Sequence, residues 1–130
     1  MTNAPKTVLA IHDLPGFGRA ALSVIVPVLS TLGVQTVALP TAVLSTHTGG
    51  LGTPAKLANP GYGPAALEHY HRLGVKFDCI YSGYLADAAQ AKLVEQALSC
   101  GPARQGRGPG AGRRRAAVQR PGGRHGARYV

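Results

Sequence analysis

Residues 45–50, "STHTGG", set hydroxyls, one imidazole and bare backbone side by side, with no charge among them. A neutral imidazole stacks against an aromatic ring or moves a proton near neutral pH. Adjacent hydroxyls either read a polar ligand or cap the loop's own backbone groups, and composition leaves both readings open for Ser45, Thr46 and Thr48. No carboxylate lies nearby in sequence to complete a hydrolase triad around His47, and no nucleophile elbow is present. A second segment, "DLPGFG" (13–18), joins the carboxylate of Asp13 to Gly16 and Gly18. Its extension "GFGRAA" (16–21) matches a dinucleotide glycine pattern. The acidic residue expected at the end of the second strand is missing, since that strand ends in Leu39, Pro40 and Thr41. Gly16 and Gly18 are therefore read as making a tight turn. His69 and His71 stand two apart on a predicted helix and point to different faces, as surface residues rather than metal ligands. Cys79 and Cys100 form neither a disulfide framework nor a metal spacing, and read as reduced thiols of a cytoplasmic protein.

These groups need elements to hold them. "TVLAIH" (7–12) reads as a buried strand, "DLPGFGR" (13–19) as a turn, and "AALSVIVPVLSTLG" (20–33) as a helix ending on Gly33. Pro27 is expected to kink or break that helix. "VQTVALP" (34–40) is a second strand, followed by a long polar connection from Thr41 to about Asn59. "GPAALEHYHRLG" (63–74) is a helix with Leu67, Tyr70 and Leu73 on one side and Gly74 at its end. "FDCIYSG" (77–83) is a third strand, and 87–100 a helix with Asp87 as N-cap. The alternation implies an α/β fold with a parallel sheet and right-handed crossovers. Ligands of such sheets bind beyond the carboxyl ends of the strands, where "DLPGFG", "TAVLSTHTGG" and "SGYLAD" should converge.

Charge divides the chain of 130 residues in two. Residues 1–100 hold six basic and five acidic side chains, a balance of +1, whereas residues 101–130 hold eight Arg, no Lys and no acid. The formal charge of +9 thus belongs almost wholly to the tail. No signal peptide is visible, and no run reaches the roughly 18 apolar residues of a membrane span.

"AIHDLPGFGRAALSVIVPVLSTLG", "ALPTAVLSTHTGG" and "FDCIYSGYLADAAQ", in that order and spacing, resemble the N-terminal half of the pyridoxal/pyridoxamine kinases of the ribokinase-like superfamily. The resemblance covers about residues 7–100. It implies the N-terminal part of a three-layer α/β/α fold with a parallel sheet, over residues 1–100. It also implies ATP-dependent phosphorylation of the 5′-hydroxymethyl group of pyridoxal, pyridoxamine or pyridoxine, a transfer made mostly of positioning and charge stabilisation. By the resemblance, the vitamer ring lies against His47, with Thr48 and Tyr84 near it and the loop of Gly16 and Gly18 closing the other side, supported by Ser45 and Gly49. Asp13 stands where relatives often carry Ser, and can accept from a ring hydroxyl or a pyridinium N–H. In the family, ATP and Mg²⁺ bind further along the chain. The "DPV.GD.G..Y" strand-loop and the later anion hole with its catalytic Asp base do not appear in this sequence. The resemblance assigns no catalytic residue and no metal ligand to this chain, and it implies a chain that does not phosphorylate alone. Relatives are often dimeric, so it implies a homodimer for the full-length family.

The tail reads differently. Of residues 101–130, 24 are Gly, Ala, Arg or Pro, the residues of GC-rich codons. Shifting the frame of residues 104–120 by one base permits "GKVVDPVLGDGGRLYSG", the missing family motif at the expected distance. The expectation is therefore a frameshift near residues 101–104 and a disordered tail over 101–130. The rival reading is an Arg/Gly-rich segment that binds RNA or another polyanion through charge, with Tyr129 its only aromatic residue.

Overall fold

The computed structural model describes residues 4–58, 60–83 and 87–99, together with the backbone of 117–118. The elements run β1 (Thr7–Phe17), α1 (Leu22–Thr31), β2 (Gln35–Thr46), β3 (Lys56–Ala58), α2 (Tyr62–Arg72), β4 (Cys79–Ser82), α3 (Ala88–Ser99) and β5 (Ala117–Val118). They build one sheet of order β3-β2-β1-β4-β5, parallel throughout except where β3 returns antiparallel along β2. The expected α/β class is what the structure shows.

Apolar alternation decides the faces. Leu9 and Ile11 of β1, Leu39 of β2 and Ile80 of β4 point to one side of the sheet. There they pack with Leu67 of α2, Phe77, and Leu93, Val94 and Ala97 of α3. The β1-α1-β2 crossover steps to one side of β1 and the β2-α2-β4 crossover to the other. Right-handed connections therefore lay α1 on the opposite face from α2 and α3. Tyr70 and Phe77 meet edge to face at 5.8 Å between ring centroids, and burial beside Phe77 raises the Tyr70 phenol above its usual range, with Tyr62 adding to the shift.

The glycine stops act as the sequence predicts. Gly33 and Gly74 take φ of +78° and +70°. Behind Gly33, Val34 N–H donates to Leu29 O and Gly33 N–H to Ser30 O. Behind Gly74, Val75 N–H donates to Tyr70 O and Gly74 N–H to His71 O. Both pairs satisfy carbonyls the helix leaves open. Asp87 caps α3 by accepting from Gln90 N–H at 2.9 Å. Beneath the sheet, Asp78 ties the start of β1 to the approach to β4, accepting from Thr7 N–H at 2.9 Å and from Lys6 Nζ at 3.0 Å.

Two expectations need correction. β1 and β2 do not stop at His12 and Pro40 but run on to Phe17 and Thr46, pairing Leu14 with Val43, Pro15 with Leu44 and Phe17 with Thr46. The Pro/Gly composition of 13–18 and the polar composition after Thr41 read as turn and loop. Yet each extension is the other's ladder partner, and β3 adds a third strand outside β2. Pro27 does not break α1, which continues through it to Thr31. Its cost is one missing N–H donor, and Thr31 Oγ1 donates to the Pro27 carbonyl at 2.8 Å on the following turn. At the other edge of the sheet, Ala117–Val118 forms β5 alongside Tyr81 and Ser82. The free edge of β4 offers a row of backbone donors and acceptors that a short segment without large side chains can join. The rest of 101–130 lies outside the described residues.

Candidate functional site

The strand extensions carry the candidate residues past the core. At the level of His12 the sheet changes: β4 has ended at Ser82, opposite Ile11, while β1 and β2 continue as a ribbon. The ladder slips there. His12 pairs with Pro40 and Leu14 with Val43, so two residues of β2, Thr41 and Ala42, oppose the single Asp13. Such irregularities re-aim side chains at sheet ends.

Two clusters result. In the first, His47 follows the end of β2, and its N–H donates to Phe17 O at 3.1 Å, extending the ribbon by one bond. Its ring lies on Gly18, where an added Cβ would stand 2.0 Å from Cδ2. Gly18 also has φ of +98°, so backbone conformation and space both require glycine. Gly49 N–H donates to His47 Nδ1 at 3.1 Å, which leaves the proton of the neutral ring on Nε2. Gly16 brings β1 close to β2, its would-be Cβ 3.1 Å from Ser45 O. Ser45 Oγ accepts from Ala55 N–H at 2.9 Å, and Ser45 N–H donates to Ala55 O at 2.9 Å, so this residue closes the 46–54 loop. Thr46 Oγ1 donates to His47 O at 3.1 Å. Thr48 is exposed at the loop.

In the second cluster, Asp13 sits half-buried at the ladder slip, and its Oδ1 contacts His12 Nδ1. His12 in turn packs on Gly83, just past β4. The sequence reading singled out Asp13 and missed His12. The available signal was its place: an imidazole at a strand end, one residue before the candidate carboxylate. Tyr84 lies outside the described residues. Of the predicted residues, the structure brings Gly18, His47 and Gly49 together, and Gly16 with Ser45. It joins Asp13 to His12, a partner the sequence did not suggest.

Among the described residues no group of three or more His, Cys, Asp or Glu is arranged to hold a metal ion, and His69 and His71 lie on the last turn of α2. None of the described helices is long and apolar enough to cross a membrane.

Known structures share this arrangement. A kinase from Bacteroides thetaiotaomicron, described as a putative phosphomethylpyrimidine kinase, is 35% identical with a TM-score of 0.73, over 91% of this chain and 37% of its own. The same protein in a form with pyridoxal matches over 88% of this chain and 37% of its own, at the same identity and TM-score. Pyridoxal kinase from Lactobacillus plantarum is 35% identical with a TM-score of 0.68, over 72% of this chain and 34% of its own. The chain belongs to the pyridoxal and phosphomethylpyrimidine kinase family. It spans the N-terminal part of these kinases, between a third and two fifths of their length. The family's fold extends to Leishmania donovani pyridoxal kinase, solved with ADP and ginkgotoxin, at 19% identity and a TM-score of 0.55 over 72% of this chain and 36% of that one. No protein-family model matches the sequence, and no curated protein matches it at a significant level.

Proposed function

We propose that residues 1–100 form the vitamer side of a kinase that phosphorylates the 5′-hydroxymethyl group of pyridoxal, pyridoxamine or pyridoxine. The observation that carries this reading is the His47–Gly18 contact: an imidazole set with its Cδ2 edge against bare backbone, at the carboxyl end of a parallel sheet. The Bacteroides relative with pyridoxal supports the substrate class. In this reading, His47 presents its ring to the pyridine, with Thr48 and Tyr84 beside it. Asp13 accepts from the ring hydroxyl or a pyridinium N–H. Gly16, Gly18, Ser45 and Gly49 shape the two loops. The reaction forms a bond from O5′ to the γ-phosphorus of ATP, breaks the bond from that phosphorus to ADP and releases the hydroxyl proton. ATP, Mg²⁺ and the proton acceptor belong to the remainder of the family's fold.

The tail fits this reading as a frameshifted segment. Its Gly, Ala, Arg and Pro codons permit the family's "DPVLGDGG" in the adjacent frame, and all its basic residues are Arg. Sequencing the genomic DNA across codons 95–125 and beyond tests this. An indel that restores the motif and opens a longer kinase frame is the expected result. Confirmed bases without such a frame favour polyanion binding through the eight arginines, measured as salt-sensitive RNA retention that deletion of 101–130 abolishes.

For the chain itself, calorimetric titration with pyridoxal, pyridoxine and 4-amino-5-hydroxymethyl-2-methylpyrimidine decides the ligand class, and an ATP/Mg²⁺ assay decides turnover. Binding of the B6 vitamers without formation of pyridoxal 5′-phosphate is expected. Preference for the pyrimidine overturns the substrate assignment, and turnover by the 130 residues overturns the division of labour.

A further inference from the structure

We infer that His12 is the positioning residue for Asp13: the imidazole, seated on Gly83, holds the Asp13 carboxylate in place at the ladder slip within β1. This rests on the reading of Asp13 as a vitamer contact and gives that contact its support.

The geometry has three parts. First, Asp13 lies at the ladder slip, one residue facing Thr41 and Ala42, so the regular β pairing does not fix its direction. Something else must fix it. Second, His12 supplies that constraint. Its side chain is 12% exposed and that of Asp13 28%, so the contact between His12 Nδ1 and Asp13 Oδ1 is shielded on the imidazole side and open on the carboxylate side. Third, the imidazole is itself fixed by β4. A Cβ added to Gly83 would stand 1.8 Å from His12 Cδ2 and 1.9 Å from Nε2. Gly83 is buried, and its N–H donates to Ile11 O at 3.0 Å, so neither it nor the strand end can retreat. The ring occupies the space of a missing side chain, between β1 and the end of β4.

One nitrogen faces two groups of Asp13. The backbone N–H of Asp13 lies 2.9 Å from His12 Nδ1, and the carboxylate oxygen contacts the same atom. A bare Nδ1 accepts from the N–H but repels the carboxylate. With its proton on Nδ1 the ring donates to the carboxylate and holds Oδ1 against it. In that state Asp13 keeps Oδ2 for a ligand donor while Oδ1 is occupied. His12 touches no reacting atom. It acts through Asp13, as an outer carboxylate or carbonyl acts through a metal-bound histidine.

The test uses the full 130-residue chain. Nitrogen-15 NMR of the histidine rings reads the pair directly: Asp13→Asn should move the His12 Nδ1 signal and leave that of His47 in place. Pyridoxine titration then reads the consequence. His12→Phe and Asp13→Ala should each weaken binding roughly tenfold, the worth of one charge-assisted hydrogen bond, and the double variant should lose no more than either alone. His12→Asn, which keeps an N–H donor, should recover part of the loss. Gly83→Ala, which evicts the ring, should reproduce His12→Phe. Circular dichroism melts identify any variant that fails to fold, in which case the remaining variants carry the measurement. Unaltered binding by folded His12→Phe, or losses that multiply in the double variant, overturn the inference. If the unaltered chain binds no vitamer, the functional reading fails and the NMR experiment alone decides the pair: an unmoved Nδ1 signal overturns it, and a moved one sustains it.

Discussion

The His47 ring lies against the α-carbon of Gly18, across the tip of the β1–β2 ribbon, so close that a single added carbon would stand 2.0 Å from it. Each residue sits just beyond the end of its strand, and the bond from His47 N–H to Phe17 O brings the two together. Gly49 fixes the ring's remaining freedom by donating to Nδ1.

Gly18→Ala should therefore displace His47 and strain a backbone whose φ is +98°. The expected loss is about 1–3 kcal/mol, read as a lower urea midpoint. A shifted His47 ring signal in NMR should accompany it. Vitamer binding should fall in step with the displacement of the ring.

Asp78 should make stability depend on acid. The Thr7 N–H bond, and secondly Lys6, hold its carboxyl below the ordinary 3.8. A carboxyl depressed in the folded state stabilises the fold above its unfolded value, and that stabilisation disappears as pH falls through the folded value. The urea midpoints of the unaltered chain and Asp78→Ala should differ at pH 6 and converge as pH falls through the depressed folded value. A gap that persists at low pH would show that Asp78 acts through packing instead.

Asp87→Ala should cost about 1 kcal/mol by removing the acceptor for Gln90 N–H at the start of α3. Asp87→Ser should restore most of it. Far-ultraviolet circular dichroism during urea unfolding measures both.

Leu9→Ala should be the most damaging of these changes. Leu9 is fully buried where β1 pairs with both β2 and β4, inside the apolar cluster that joins sheet to α2 and α3. Leu→Ala at such sites costs about 2–5 kcal/mol. In a sheet this small the expected outcome is loss of the cooperative unfolding transition.

Periodicity and punctuation determined most of the frame by themselves. The apolar run of 7–12, the glycines at 33 and 74 and the cap at Asp87 act locally, through side-chain alternation, positive φ and a hydrogen bond three residues away. Such effects are written in neighbouring residues, and the helices and strands they predict are present. The family motifs are equally local strings, and the similarity to solved kinases bears them out.

Tertiary structure decided what depends on partners far along the chain. Pro15 and Gly16 signal a turn until Leu44 and Ser45 arrive to pair with them, and 41–46 looks like loop until β1 and β3 flank it. His12 and Gly83 are 71 positions apart in sequence, and only the pairing of β1 with β4 lays the ring of one on the bare backbone of the other. A hydrogen-bond ladder and a steric vacancy are properties of two segments at once. No single stretch of residues can announce them.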